Sequence, residues 1–475
     1  MTNEIIKSDI CIIGAGASGL VIAAGAASLG VNVVLIEESK MGGDCLNYGC
    51  VPSKALLYTS KLFNSKKKLE RFGVEFTSGK INFSLINEHV QKTIDSISPM
   101  DSEERFRGMG VNVIKGSGKF ISNSEVLVGT KVIRSKYFVI ASGSSPKIPK
   151  IHGIDSVPYY TNETVFNNMN FLENLIIIGG GPVGVELAQA YNNLGSEVIV
   201  IDKDEILSNK EPELKEIIVS KLSNEGIKFY ENVQIEEISC TKKNKINVSL
   251  KLNNKYLKIS GSHLLVAIGR APNVDSLGLK NTSVKYSDLG VGVNSKLRTS
   301  NKRIYAAGDV IGRNMFTHAA SYEASIILKN ILFRVPSKNN LFVPQTMYTY
   351  PEYASIGLDE NEAKLKYKKI NVLRWPISEN DRAKAELESA GLIKAITTKR
   401  GKILGVQIVA PNAGDLVVPW ILAVNDNIKI SKLAGAIFPY PTFSEITKRT
   451  ASLYFEPYLF KHFIRKIVKF FMFIS

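Results

Sequence analysis

Asp9-Ile10-Cys11-Ile12-Ile13 runs straight into Gly14-Ala15-Gly16-Ala17-Ser18-Gly19, and this stretch decides the fold. The apolar run predicts a buried strand over 8–13, and the glycines open a helix over 17–29. A second strand over 31–36 ends at Glu37, which completes a βαβ unit. In such a unit Gly14 permits the tight turn, Gly16 lets the backbone approach a pyrophosphate, and Gly19 lets helix pack on strand. The phosphates sit on the helix N-terminus, where free N–H groups and the dipole favour anions. Glu37, 18 residues beyond Gly19, stands where an acid can bind a ribose 2′-OH.

The pattern recurs. A strand over 175–178 leads into Gly179-Gly180-Gly181-Pro182-Val183-Gly184, a helix follows over 183–194, and a strand over 197–201 ends at Asp202. Two dinucleotide units in one chain imply two bound nucleotides. Asp202 would repel a 2′-phosphate, so NADH is the expected second nucleotide, with NADPH as the alternative because Lys203 or Lys210 could reach such a phosphate. Between and after the units, strand ends run into small-residue turns at 137–146, at Ala267-Ile268-Gly269-Arg270-Ala271-Pro272-Asn273, and at Tyr305-Ala306-Ala307-Gly308-Asp309-Val310. From about residue 340 the texture changes, with strand-like runs over 391–398 and 403–409 that predict a separate α+β domain.

Bulk properties bound the remaining choices. A chain of 475 residues should hold two to three domains, and its composition is that of an ordinary globular protein. Four cysteines are too few for a disulfide-stapled secreted scaffold, and a working dithiol suits a reducing, cytoplasmic compartment. No signal peptide is recognised ahead of the first strand. The net charge of +16 reads as a lysine-rich solvated surface. No aromatic–basic stripe of the kind that stacks bases is present, so nucleic acid is not an expected partner.

Gly42-Gly43-Asp44-Cys45-Leu46-Asn47-Tyr48-Gly49-Cys50-Val51-Pro52-Ser53-Lys54 carries the chemistry. Two thiols placed on one helical turn can form a disulfide and be reduced again. This segment resembles the redox-active disulfide of the class I pyridine nucleotide-disulfide oxidoreductases: dihydrolipoamide dehydrogenase, glutathione reductase and mercuric reductase. The resemblance covers nearly the whole chain. It implies an α/β fold with two Rossmann-like dinucleotide-binding domains plus a C-terminal α+β dimerisation domain. Residues 1–146 and 271–338 would form the FAD-binding domain, 147–270 the NAD(P)-binding domain, 339–455 the dimerisation domain and 456–475 a basic amphipathic tail.

The resemblance also implies roles. Cys50 would lie beside the flavin and Cys45 would exchange with substrate, the acceptor being a small-molecule or protein disulfide or dithiol. Lys54 would approach the reactive flavin edge and pair with Glu186 of the second fingerprint helix. Asp309, Met315, His318, Ser142, Gly143 and Gly118 match FAD contacts, and Val233 and Gly269 match nicotinamide-nucleotide contacts. No resident metal site is expected. Cys11 and Cys240, with strand-like surroundings, read as ordinary buried or half-buried residues.

One departure bears on the substrate. Lipoamide dehydrogenases and glutathione reductases carry a C-terminal His-Pro-Thr-x-x-Glu, supplied by the second subunit of a homodimer, whose His is the acid/base for the exchange thiol. This chain reads Phe438-Pro439-Tyr440-Pro441-Thr442-Phe443-Ser444-Glu445, with Tyr440 in place of the His and Glu445 retained. Reference pKa values of about 6.5 for His and about 10 for Tyr make a neutral Tyr a poor proton carrier at pH 7. The Phe-Pro-Tyr run resembles mercuric reductases, yet no cysteine follows Cys240, where those enzymes carry a C-terminal pair, and no N-terminal metal-binding domain is recognised. The expected function is therefore an FAD-dependent, mercuric-reductase-like NAD(P)H:disulfide oxidoreductase. Dihydrolipoamide dehydrogenase is one alternative and a membrane-associated flavin-binding redox sensor another.

The tail adds a surface. Leu459, Phe460, Phe463, Ile464, Ile467, Val468 and Phe471 recur at helical spacing, opposed by Lys461, His462, Arg465, Lys466 and Lys469. Such a helix can dock on its own dimer or, through residues 459–474, lie on an anionic membrane, which would place the protein at the inner face of the membrane.

Overall fold

The structure is a computed structural model that describes residues 4–75, 81–242, 245–252, 255–459 and 462–474, apart from the side chain of Lys67. The chain divides into two compact units, residues 1–204 with 230–340, and residues 205–229 with 341–475.

In the first unit, the run Glu4–Ile13 forms a strand at the centre of a seven-stranded sheet. It pairs in parallel with Val33–Glu37 on one side, with Ile10 opposite Val33. On the other side it pairs in parallel with Lys131–Ile140, with Ile13 opposite Ile140. The first half of Lys131–Ile140 carries an antiparallel partner, Glu125–Val128, and its last three residues pair in parallel with Ile304–Ala306. That arrangement brings the 137–146 turn and the Gly308-Asp309 turn to the same end of the sheet as the first glycine loop. Ile10, Ile12, Val34, Leu35, Val139 and Ile140 are fully buried, the continuous apolar signature of a sheet covered on both faces.

The second fingerprint repeats this geometry. Asn174–Ile178 pairs in parallel with Glu197–Ile201 and with His263–Val266. A three-stranded antiparallel sheet, Gln234–Cys240, Ile246–Leu252 and Lys255–Gly261, packs onto the same core through Ile238, Val248 and Ile259. The fingerprint helices are Ala17–Ala27 and Pro182–Asn193. The first ends two residues before the predicted 29, because Leu29 and Gly30 close it with backbone N–H bonds to the carbonyls of Ala26 and Ala27.

The second unit is a five-stranded sheet with antiparallel neighbours, ordered Gln345–Met347, Glu352–Gly357, Ile403–Ala410, Leu392–Thr398, Ile370–Pro376. Val418–Asn425 and Glu445–Ser452 pack on it, and fully buried Trp420 donates its indole N–H to Thr447 Oγ1 at 3.2 Å. Lys394, 2% exposed, lies 2.6 Å from Glu211, 2.7 Å from Glu360 and 3.3 Å from Glu213. This charge network is satisfied by close partners, as burial requires.

The glycines separate into two kinds. A Cβ on Gly19 would collide with the carbonyl oxygen of Gly14, and one on Gly184 with that of Gly179. These two positions hold each helix against its own glycine turn. Gly19→Ala is expected to lower the thermal unfolding midpoint, at a cost of about 3 kcal/mol or more. Gly16→Ala should leave it near wild type, since the nearest atom to a Cβ there is 3.9 Å away. Thermal denaturation followed by circular dichroism checks both.

Candidate active site

Gly16 and Gly181 are informative because the protein itself does not require glycine there. Their φ values of −85° and −75° suit any residue. A Cβ on Gly181 would meet nothing within 4 Å. Each instead leaves a bare backbone cradle at the N-terminus of a long helix, a shape and polarity that suit a pyrophosphate. The residues present therefore fit two dinucleotides. Glu37 and Asp202 do more than the sequence reading assigned to them. Glu37 Oε2 accepts from Ala15 N at 2.6 Å and its Oε1 from Ser39 N at 2.7 Å. Asp202 Oδ2 accepts from Gly180 N at 2.6 Å and its Oδ1 from Asp204 N at 3.0 Å. Each acid thus ties its strand end to its own glycine loop.

Of the two lysines considered for a 2′-phosphate, Lys210 is committed elsewhere. It is buried, donates to Gln345 Oε1 at 2.7 Å and sits over the Tyr353 ring, and burial lowers it to about 8. Lys203 is exposed, 3.9 Å from Asp204. Its immediate neighbour Asp202 keeps the local charge unfavourable to a phosphate. Val233 is buried and donates its backbone N–H to the Asp202 carbonyl at 3.2 Å, which places it at this same strand end. Gly269 takes φ +112° with open space around it, and its carbonyl accepts from Lys147 N at 2.9 Å.

The two thiols do not share a helical turn. Cys45 lies in the short helix Gly43–Asn47, the chain breaks at Tyr48 and Gly49, and Cys50 is the first residue of the helix Cys50–Glu70. A Cβ on Gly49 would press on Cys45 Cα and the Asp44 carboxylate, so the break lets the two helices approach. Lys54, one turn along the second helix, lies 2.9 Å from Glu186 Oε2. Glu186 is buried in the second fingerprint helix. Cys50 Sγ is 3.6 Å from Thr317 Oγ1, at the first turn of the helix Thr317–Leu332.

This setting polarises the pair. The Cys45 thiol hydrogen-bonds to Cys50 and lowers it to about 6, with Thr317 and the Lys54 charge acting the same way and burial and Asp44 opposing them. Cys45 is pushed far up, by that same hydrogen bond and by burial. Near neutral pH Cys50 is therefore a thiolate and Cys45 a thiol that donates to it.

The residue that ties the site together is Arg270, which the sequence reading passed over in favour of Gly269. Its guanidinium lies 3.1 Å from Asp44 Oδ1 and 3.8 Å from Asp309 Oδ2, and donates to Ser144 Oγ and Ser144 O, each at 2.7 Å, and to Asn162 Oδ1 at 3.2 Å. Four chain segments meet on one planar cation. Ser144 Oγ donates in turn to Asp309 Oδ2 at 2.6 Å, and buried Glu323, held up at about 7 by burial, accepts from Gly308 N at 2.8 Å. Ser142 Oγ donates to the Asn273 carbonyl at 2.8 Å, and Gly143 O accepts from Asn273 N at 3.0 Å, so this turn is clamped to the AIGRAPN segment. Met315 leads into the helix that begins at Thr317, and the His318 ring stacks on Phe316 at 5.3 Å. A Cβ on Gly118 would come within 3.3 Å of the Ile13 and Ile36 side chains, at the strand ends beside the first glycine loop. Cys11 is fully buried, and half-buried Cys240 contacts the Thr241 carbonyl.

In the second unit, Tyr440 is 66% exposed and donates its hydroxyl to Asp381 Oδ2 at 2.9 Å. That carboxylate raises Tyr440 further above its usual range. Glu445 pairs with Arg449 at 2.7 Å. Asp381 carries no signal in the sequence that would have linked it to Tyr440, 59 positions away.

Three results are expected. Alkylation of Cys50 in the reduced protein, followed by mass spectrometry, should rise with pH around a midpoint near 6. Lys54→Met should move that midpoint up and Asp44→Asn should move it down, since one charge stabilises the thiolate and the other opposes it. Arg270→Met should cost about 2 kcal/mol in chemical denaturation, because half-buried Asp44 and Asp309 lose their cation and Ser144 and Asn162 lose their donor.

The comparisons with known proteins agree with this geometry. Residues 8–324 match the pyridine nucleotide-disulphide oxidoreductase family, and residues 343–451 match its dimerisation domain. The mercuric reductase of Lysinibacillus sphaericus is 32% identical over 464 residues, covering 95% of this chain and 83% of that protein. The dihydrolipoyl dehydrogenase of Geobacillus stearothermophilus is 30% identical over 456 residues, covering 94% and 96%. The HOCl-induced flavoprotein disulfide reductase RclA from Escherichia coli, solved as a Cu(II) complex, superposes with a TM-score of 0.85 at 25% identity, over 94% of this chain and 99% of that one. The chain belongs to the pyridine nucleotide-disulphide oxidoreductases, a family of FAD-dependent enzymes that use NAD(P)H and carry a dimerisation domain.

Proposed function

We propose that the chain transfers electrons from NADH to the Cys45–Cys50 disulfide, and from the reduced pair to a thiophilic metal ion or a disulfide, as a cytoplasmic homodimer. FAD, when bound at the first glycine loop, supplies the two-electron connection between NADH and the disulfide. Glu37 and Gly16 would hold the FAD end, with Asp309, Ser142, Gly143, Gly118, Met315 and His318 around the rest. Asp202, Gly179, Gly181, Gly184, Val233 and Gly269 would hold the nicotinamide nucleotide.

The observation that carries the reading is the polarised thiol pair beside the Lys54–Glu186 ion pair. Reduction breaks the S–S bond with two electrons and one proton, all supplied by NADH. The electron pair leaves Cys50 as the thiolate, stabilised by the Cys45 hydrogen bond, Thr317 and Lys54, and the proton rests on Cys45. Cys45 is then the group that meets the acceptor.

The acceptor is where Tyr440 matters. A disulfide acceptor needs Cys45 deprotonated for attack and a proton for its leaving thiolate. Tyr440, neutral and bound to Asp381, offers no such shuttle at pH 7. A thiophilic metal ion makes a smaller demand, because it displaces thiol protons as it binds. A metal-ion acceptor, the substrate named for the mercuric reductase relatives, is therefore favoured over lipoamide. By resemblance Tyr440 and Glu445 act across the dimer on the other subunit's thiols.

Steady-state NADH oxidation should be faster with Hg(II) in the presence of free thiol than with lipoamide or glutathione disulfide. Tyr440→His should raise lipoamide turnover by about 100-fold, the usual return for a positioned acid/base. An unchanged lipoamide rate in Tyr440→His would refute the missing-shuttle argument.

A further inference from the structure

The helix His462–Ile474 plays no part in the chemistry above. Its 13 residues make it about 20 Å long, against about 30 Å of bilayer hydrocarbon. No described helix is long and apolar enough to cross a membrane.

Its two faces are sharply divided. At about 100° per residue, Arg465, Lys469, His462 and Lys466 fall within one arc of about 100°. Phe463, Ile467, Phe470 and Ile474 run along one side, and Ile464, Val468 and Phe471 continue that apolar surface, for about 160° in all. Phe473 interrupts the basic arc only in the last turn. The apolar face is turned to solvent, with Phe463 70% and Phe470 61% exposed. Phe460 and Lys461, which the sequence pattern includes, lie outside the described residues.

We propose that this helix lies in the plane of an anionic lipid surface. Its Phe and Ile face enters the headgroup–acyl boundary, and Arg465, Lys466 and Lys469 meet the lipid phosphates. Charge complementarity selects this occupant: after Glu456 the sequence contains no acid, so every charged side chain on the helix is positive. A second copy of the same helix fits less well. A two-helix seam uses two positions in seven, a much narrower stripe than this one, and the match to the family's dimerisation domain ends at residue 451, before this helix begins.

The test is co-sedimentation of the full-length protein with phosphatidylcholine vesicles, with and without phosphatidylglycerol, at low and high salt. Binding should require phosphatidylglycerol and weaken with salt. It should fall roughly fivefold for each of Arg465→Gln, Lys466→Gln and Lys469→Gln. Phe463→Ser combined with Phe470→Ser should abolish it while flavin absorbance and NADH oxidation stay at wild-type levels. The proposal is overturned if the wild-type protein stays in the supernatant, or if it binds pure phosphatidylcholine equally well. It is overturned too if the double Phe variant turns a dimer into a monomer in analytical ultracentrifugation, since a second copy would then cover the apolar face.

Discussion

Everything at the cofactor end depends on one close approach, a helix carried against its own glycine turn with no side chain between them. Gly19 against the Gly14 carbonyl, and Gly184 against the Gly179 carbonyl, bring two helix N-termini to the ends of their parallel strands. The positive helix end, the bare backbone at Gly16 and Gly181, and the acid at the next strand end then converge. Glu37 and Asp202 tie the loops down through backbone N–H groups, so they shape the cradle as well as bounding it.

The thiol site is a second layer built on that frame. Its chemistry comes from asymmetry between two like groups. One hydrogen bond makes Cys45 the donor and Cys50 the acceptor, and Lys54 adds a charge on the Cys50 side. Lys54 is itself paired with buried Glu186, so the fold positions the cation through a residue of the other nucleotide-binding motif. Arg270 does the equivalent for Asp44 and Asp309 and so ties the dithiol segment to the strand end at Ser144. The two pairs explain why a fold with two nucleotide sites can hold one dithiol in a defined electrostatic setting.

The second unit uses buried charge differently. Lys394 with Glu211, Glu213 and Glu360 is a closed network, and Lys210 is spent on Gln345. The Tyr440 hydroxyl, by contrast, is held at the surface by Asp381. A phenol tied to a carboxylate loses its proton even less readily than a free one. Such a phenol is a poor proton carrier near pH 7.

The glycine spacing, the strand-end acids and the dithiol motif were legible in the sequence because each is a local pattern of a few residues, imposed by a turn, a strand end or a helix start. The amphipathic tail was legible for the same reason. The helix break at Tyr48-Gly49, the bridging role of Arg270, the Glu323 support under Gly308, the burial of Lys210 and the Asp381 clamp on Tyr440 were not. The helix break follows from how closely two short backbone segments approach, and the others join groups apart in the chain, up to 226 positions between Asp44 and Arg270, or depend on which way a long side chain turns once its neighbours are packed. The sequence by itself determined the fold class, the two glycine loops at the strand ends and the Cys45-x4-Cys50 motif. Only tertiary structure decided which thiol is drawn toward the thiolate and which cation favours it, because electrostatic energy depends on distances that no spacing along the chain records.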